Sequence, residues 1–443
     1  MIKQTVNIIS LGCPRNLVDS EVMLGLLKKA GFSISQEIEG TDTVVVNTCA
    51  FIEDAKEESV DVILKLIDSK KRGQIANLIV SGCLAQRYKK ALADELKEVD
   101  GFIGVGDIQA IADIVKSVWR RKKIIKIKKR PKFLYDHTSP RVLITPSHYA
   151  YIKIQEGCIN RCSYCVIPDL RGPYRSRSLK SVLNEAEGLL DEVSEINLIG
   201  QDTTLYGIDR YKKMILPKLL EKLTALIRKE VWIRLLYTHP AHFTDELIEV
   251  IRDYPVCKYI DVPLQHVNDV ILKKMNRLVS RKDIISLIDK IRSRIPGVTL
   301  RTSVIVGFPG EGDGEFGELL DFMRRIRFER LGAFVYSREE QTRAYRFKKQ
   351  VPAKVKKARL NEVMKLQQSI SEENNTRLLG GIVRVLVDKK LEKEHNLFLG
   401  RTEADAPEVD GSVYLKAKNV KPGDFVNARI TGTMEYDLVG EQV

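Results

Sequence analysis

Three short β-branched runs near the start of this chain end directly at cysteine: VNIISLGC at Cys13, TVVVNTC at Cys49 and NLIVSGC at Cys83. Each run reads as a buried strand, and helical patterns follow at 17–30, 55–70 and 86–97. Strands alternating with helices predict a parallel sheet wound right-handedly. In such sheets ligands sit beyond the carboxyl ends of the strands, near the switch point. Cys13, Cys49 and Cys83, spaced 36 and 34 residues apart, are therefore expected to converge on one point. They stand after the apolar runs rather than inside them, which favours metal ligands over three small core thiols.

A second cysteine group is tighter. GCINRCSYC sets Cys158, Cys162 and Cys165 close enough for three thiolates to hold three corners of a cubane iron–sulfur cluster. No neighbouring residue offers a fourth ligand, so one iron would stay open. Catalytic zinc sites keep an open position for the same purpose, whereas structural zinc wants four ligands and usually C-x2–4-C pairs. Six apolar runs, YAYIKIQ, INLIGQD, WIRLLYTH, KYIDVPLQH, LRTSVIVGF and LGAFVYS, alternate with amphipathic stretches from Tyr149 to about Arg338. That order predicts a parallel (β/α)6 partial barrel, in which active sites lie at the C-terminal strand ends. The cysteine group follows the first of these strands. A long charged helix pattern at 353–379 leads to alternating runs from Gly381 onward, the pattern of a small antiparallel barrel. The fold expected is thus a multidomain α/β protein. It divides into an N-terminal sheet domain (1–119), a basic linker (120–147), a partial barrel with connector helix (148–375) and a C-terminal barrel (376–443).

No apolar run approaches the ~20 residues that span a bilayer, and MIKQTVNIIS lacks the features of a signal peptide. A cytoplasmic location without membrane attachment is expected, where all seven cysteines stay reduced and clustered ones read as metal or redox ligands. The net charge of +14 is unevenly spread. Residues 120–132 carry nine basic groups and no acid, which suits a solvated or strand-edge run, or a phosphate-tracking patch. The last 68 residues carry ten Lys/Arg against eleven Asp/Glu. An RNA-gripping barrel should be basic. This one instead gathers Glu403, Asp405, Glu408 and Asp410, either a solvated loop or an acidic face suited to a basic protein partner.

These segments, in this order, resemble the methylthiotransferase family of radical S-adenosylmethionine enzymes over essentially the whole length. The resemblance rests on the two cysteine groups, IPDLRGPYRSR after the second, and a terminal barrel like a TRAM domain. SLGCPRNLVDSE, NTCAFIEDAKEES, GQDTTLYG and above all GRTEADAPEVDG look like the branch that modifies an aspartate of the twelfth small-subunit ribosomal protein. Arg15 stands where that branch more often has lysine. The resemblance implies a 4Fe–4S cluster on Cys158, Cys162 and Cys165 that cleaves S-adenosylmethionine, and an auxiliary 4Fe–4S cluster on Cys13, Cys49 and Cys83 that donates sulfur. It also implies an electron donor of flavodoxin or ferredoxin type, and the ribosomal protein as partner, free or within the ribosome. A radical is what such a substrate needs, because acid–base catalysis does not reach an unactivated β-carbon near neutral pH. Gln201, Asp202, Arg301, Ser303 and Gly307 stand at strand ends or turns facing the expected barrel mouth and are candidates for contacting S-adenosylmethionine. Two other readings stay open at this point: methylthiolation of tRNA adenosine, and a non-catalytic iron–sulfur protein that binds RNA.

Overall fold

The computed structural model describes residues 4–392, 394 and 396–443. Its first unit holds strands β1 (Thr5–Ser10), β2 (Ser33–Ile34), β3 (Thr43–Thr48), β4 (Asn77–Gly82), β5 (Gly101–Ile103) and β6 (Ile124–Lys126). They form one sheet in the order β2-β1-β3-β4-β5-β6, and every pairing is parallel. Val44, Val45, Val46, Leu78, Ile79 and Val80 are fully buried, as strands covered by helices on both faces must be. The helix Pro14–Lys29 starts with proline in its first turn, a position that needs no amide donor. The edge strand β6 lies inside the basic run, so the sheet continues past Trp119 and the connecting segment begins later than residue 120. An edge strand rich in lysine resists pairing with other chains. The rest of that segment is strapped down. Arg141 Nη1 donates to Glu185 Oε1 at 2.6 Å and its Nε to Glu21 Oε2 at 2.9 Å, joining the first two units.

The central unit contains β7 (Tyr149–Lys153), a short antiparallel pair β8 (Gln155–Glu156) and β9 (Arg175–Ser176), then β10 (Glu195–Ile199), β11 (Trp232–Leu235), β12 (Tyr259–Asp261), β13 (Thr299–Val306) and β14 (Arg330–Val335). Ladders run β7-β10-β11 and β12-β13-β14, all parallel. Hydrogen bonds from Cys257 N to Ile233 O (2.9 Å) and Thr238 N to Asp261 O (3.1 Å) join the two sets. The result is a six-stranded curved sheet, and no ladder joins β14 back to β7 among the described residues. The glycine-rich stretch before the helix Asp313–Ile326 ends cleanly, with Gly312 N donating to Glu315 Oε2 at 2.8 Å. Cys257 is a buried core thiol packed with Trp232 and Tyr259.

The helix Ala353–Thr376 leads to β15 (Ile382–Lys390), β16 (Leu397–Thr402), β17 (Val413–Lys416), β18 (Phe425–Thr433) and β19 (Leu438–Gln442). They close into a barrel β15-β16-β17-β19-β18, antiparallel except for the β17–β19 pair. This barrel covers the end of the central unit where its strands begin. Glu195, the first residue of β10, accepts from Arg234 Nε and Arg401 Nη2, both at 2.7 Å. Tyr149 OH donates to Glu408 (3.0 Å), Tyr259 OH to Asp410 (2.6 Å) and Arg330 Nε to Asp405 (2.8 Å), while Lys258 N donates to Glu403. The acidic stretch is therefore neither a solvated loop nor a free face for a basic partner. Its four carboxylates clasp one domain to the next.

Candidate functional site: two cysteine trios with a shared wall

Because β1, β3 and β4 are neighbours, the three turns that follow them lie side by side. Gly12 (φ 84°) and Gly82 (φ 92°) precede Cys13 and Cys83 in backbone conformations that disfavour a side chain. A methyl on Gly12 would sit 2.9 Å from Cys49 Sγ, and one on Gly82 would sit 2.6 Å from Thr48 O while pressing on Asn47. Cys83 is the first residue of the helix Cys83–Glu95. Burial and the neighbouring thiols Cys83 and Cys13 push the Cys49 thiol up to about 12, and burial also raises Cys83. At Cys13 burial is outweighed by the guanidiniums of Arg15 and Arg171, which leave that thiol below its ordinary value.

The second trio follows β8 through Gly157 (φ 78°). Burial, then the Asp202 carboxylate, push Cys158 up to about 12, and burial raises Cys165 above its ordinary value. Arg277 Nη1 lies 3.8 Å from Cys162 Sγ. In neither trio do all three sulfurs lie within 4.8 Å of one another among the described residues. A tetrahedral zinc with bonds of about 2.3 Å needs sulfurs roughly 3.8 Å apart.

One wall separates the trios. Arg171, from the segment after Cys165, reaches Cys83 Sγ at 3.5 Å with Nη2 and Asp19 Oδ2 at 2.5 Å with Nη1. Lys153 Nζ donates to Asp19 (2.5 Å) and Glu156 (2.6 Å), and Gln201 Nε2 donates to Glu156 Oε1 at 2.5 Å. Burial works against the Glu156 charge, but Lys153 and Arg171 hold its carboxyl well below the usual range. Val166 and Leu170 pack in the same apolar cluster as Cys83, so the first unit and the barrel share a core at this point. Arg15 spans the same wall, with its Nη1 on Gly200 O at 2.7 Å.

The five candidates for the small-molecule side do not all converge. Asp202 lies beside Cys158, accepting from Asn160 (2.7 Å), His242 Nδ1 (2.9 Å) and Thr204. Gln201 is next to it on Glu156. Arg301 is engaged by Asp261 (2.9 Å) and Asp410 (3.3 Å), which draws it toward the C-terminal barrel. Ser303 lies on β13 across from Gly332, and its backbone O accepts from Gln265 N at 2.8 Å. Gly307 N donates to Glu311 Oε1 at 2.9 Å, and Lys356 fills the space a side chain would take. Sequence reasoning passed over Glu156, Asp19, Lys153, Arg171, Arg277, His239 and His242. All but His242 are buried polar side chains, a property a sequence does not display.

Fold and site together define a radical S-adenosylmethionine enzyme. The model of the radical SAM superfamily matches residues 152–323, that of uncharacterized protein family UPF0004 residues 5–104, and that of the TRAM domain residues 379–443. The chain is 48% identical over 441 residues (99% of each chain) to ribosomal protein uS12 methylthiotransferase RimO of Pelotomaculum thermopropionicum. It is 45% identical over 435 residues (98% of this chain, 97% of the relative) to the protein of that name from Clostridioides difficile. Among solved structures it is similar in fold to the radical S-adenosylmethionine methyltransferase TsrM of Kitasatospora setae, with TM-score 0.54, 14% identity and 75% of each chain covered. It is likewise similar to the cobalamin-dependent radical enzyme OxsB, with TM-score 0.51 and 12% identity over 83% of this chain and 56% of that one. The chain belongs to the RimO family of ribosomal protein uS12 methylthiotransferases.

Proposed function

We propose that this protein attaches a methylthio group to the β-carbon of an aspartate in ribosomal protein uS12. The observation that carries the reading is the meeting of the two cysteine trios at one wall, where Arg171 and Leu170 from beyond Cys165 pack against Cys83 and Arg15 from beyond Cys13 reaches Gly200. Cys158, Cys162 and Cys165 would hold one 4Fe–4S cluster and Cys13, Cys49 and Cys83 the other. Bound there, the first supplies an open iron and an electron for cleaving S-adenosylmethionine, and the second supplies an iron that carries sulfur. The chain's own residues do the positioning. Asp202, beside Cys158, offers a carboxylate to the ammonium of S-adenosylmethionine, with His242 and Asn160 fixing its direction. Gln201 orients Glu156 at the base of the same loop. The buried Lys153–Asp19–Glu156–Arg171 network holds the two units together and excludes water from the space between the trios. A flavodoxin- or ferredoxin-like protein delivers the electrons, and the work is done in the cytoplasm; among the described residues no helix is long and apolar enough to cross a membrane.

Anaerobically reconstituted protein, given S-adenosylmethionine and a strong reductant, should release 5′-deoxyadenosine and add a methylthio mass increment to uS12. The increment appearing on tRNA alone would overturn the substrate. Replacing Cys13, Cys49 and Cys83 by Ala should remove about half the iron and spare the rest, because separate domains hold the two clusters. Loss of all iron would count against independent sites.

A further inference from the structure

Arg15 lies in the wall between the trios and, unlike its neighbour Arg171, has no carboxylate partner among the described residues. Arg171 is paired with Asp19 at 2.5 Å and Glu156 at 3.3 Å. Arg15 makes one hydrogen bond to a protein oxygen among the described residues, from Nη1 to Gly200 O at 2.7 Å, and the Cys13 thiol stands beside it. It stands two residues beyond Cys13 and reaches the carbonyl of Gly200, just before Gln201 and Asp202, and Asp202 accepts from Asn160 in the loop of the second trio, so Arg15 runs from one trio's turn to the other's. The guanidinium lies over the Tyr237 ring, 4.2 Å from the centroid, and this stacking fixes its plane. Tyr237 itself is held in the left-handed region (φ 61°). Its N donates to Asp261 Oδ2 (2.8 Å) and its O accepts from Thr203 N (3.0 Å). A strained backbone kept by such constraints is common where geometry matters for function. A half-buried guanidinium without an acid favours the arrival of an anion, and its planar fork matches a carboxylate.

Resting on the function proposed above, we propose that Arg15 binds the side-chain carboxylate of the target aspartate. The reacting β-carbon is one bond from that carboxylate, so a cation reaching both trios holds the carbon between them. Lys153 is excluded from the role because Asp19 and Glu156 already occupy it. Arg277 belongs to the second trio's side, beside Cys162, with Nη2 on Pro263 O. The geometry makes Arg15 the substrate-specifying residue, while Tyr237 positions it.

The test compares reconstituted full-length wild type, Arg15→Met and Arg15→Lys on uS12 and on uS12 whose target aspartate is asparagine. Methylthio transfer is followed by mass spectrometry, and iron is counted for each variant. Arg15→Met should lower kcat/KM for the aspartate substrate about 100-fold, mainly through KM, and should lose the wild type's preference for aspartate over asparagine. Arg15→Lys, which keeps the charge but not the fork, should recover to within about tenfold of wild type. An Arg15→Met enzyme that keeps its iron and its aspartate preference would overturn the proposal. So would loss of iron in Arg15→Met together with a wild type that does not discriminate the two substrates, since Arg15 would then be only a counter-ion for the Cys13 cluster. A wild type that transfers nothing to either form of uS12 removes the proposed function itself and this inference with it.

Discussion

Glu156 is where the residue-scale energetics concentrate. It accepts from Lys153, Arg171 and Gln201 while almost fully buried. Neutralising one member of a buried ionic set leaves the others uncompensated, so Glu156→Gln should cost about 3–5 kcal/mol of stability, measurable by anaerobic denaturant unfolding. His239 gives a pH-dependent counterpart. Burial and the nearby Arg277 charge push its imidazole down to about 3, so it is neutral when folded. The unfolded chain binds a proton at this residue below the ordinary histidine value and the folded chain does not. Stability is therefore present near neutrality and lost as pH falls. Between pH 6 and 4 the wild type should lose about 1.4 kcal/mol per pH unit more than His239→Gln. Parallel curves for the two proteins would contradict the assignment. Glu156 has the same sign: its depressed carboxyl contributes above the usual carboxylate range and fades on acidification.

At the scale of elements, the turns after β1 and β4 set the backbone from which Cys13 and Cys83 project. Gly82 combines φ 92° with a methyl-excluding contact to Thr48 O at 2.6 Å. Gly82→Ala should destabilise the first unit by more than about 1 kcal/mol. It should also lower iron at the Cys13, Cys49 and Cys83 site while the second site stays loaded. Equal loss from both sites in metal analysis would show that the turn does not act locally. The basic run is instructive here too. Read as charge alone it suggested a linker, yet Ile124–Lys126 pairs with β5 because a short apolar pair inside it completes the sheet edge.

For the molecule as a whole, the C-terminal barrel sits opposite the cysteines and is bound by buried charge. Glu195 bridges Arg234 of the central unit and Arg401 of the C-terminal barrel, all three side chains buried. Glu195→Ala leaves Arg234 without its carboxylate and Arg401 with Asp388 alone, at about 3–5 kcal/mol, and should expose the junction near residue 380 to proteolysis. Asp405→Asn separates two roles for the acidic stretch. It should lower the melting temperature and leave the salt dependence of uS12 association unchanged. A changed salt dependence would restore the partner-facing reading.

Local chemistry made much of this protein legible in its sequence. β-Branched runs ending in cysteine declare parallel strands and the edge their cysteines share, and the spacing of Cys158, Cys162 and Cys165 marks the proposed three-ligand centre, because both follow from short-range geometry. The six cysteines were singled out as candidate ligands on those grounds, and Gln201 and Asp202 as candidates by their place after the second barrel strand. Only the tertiary structure decided which charges meet. Arg171 on Cys83, Arg15 on Gly200, and Glu408 on Tyr149 join residues 88, 185 and 259 positions apart in the sequence. Net charge over a stretch does not say whether carboxylates face water or clasp buried arginines. That choice is made by which domain surfaces come together, since burying a charge is tolerable only against its partner.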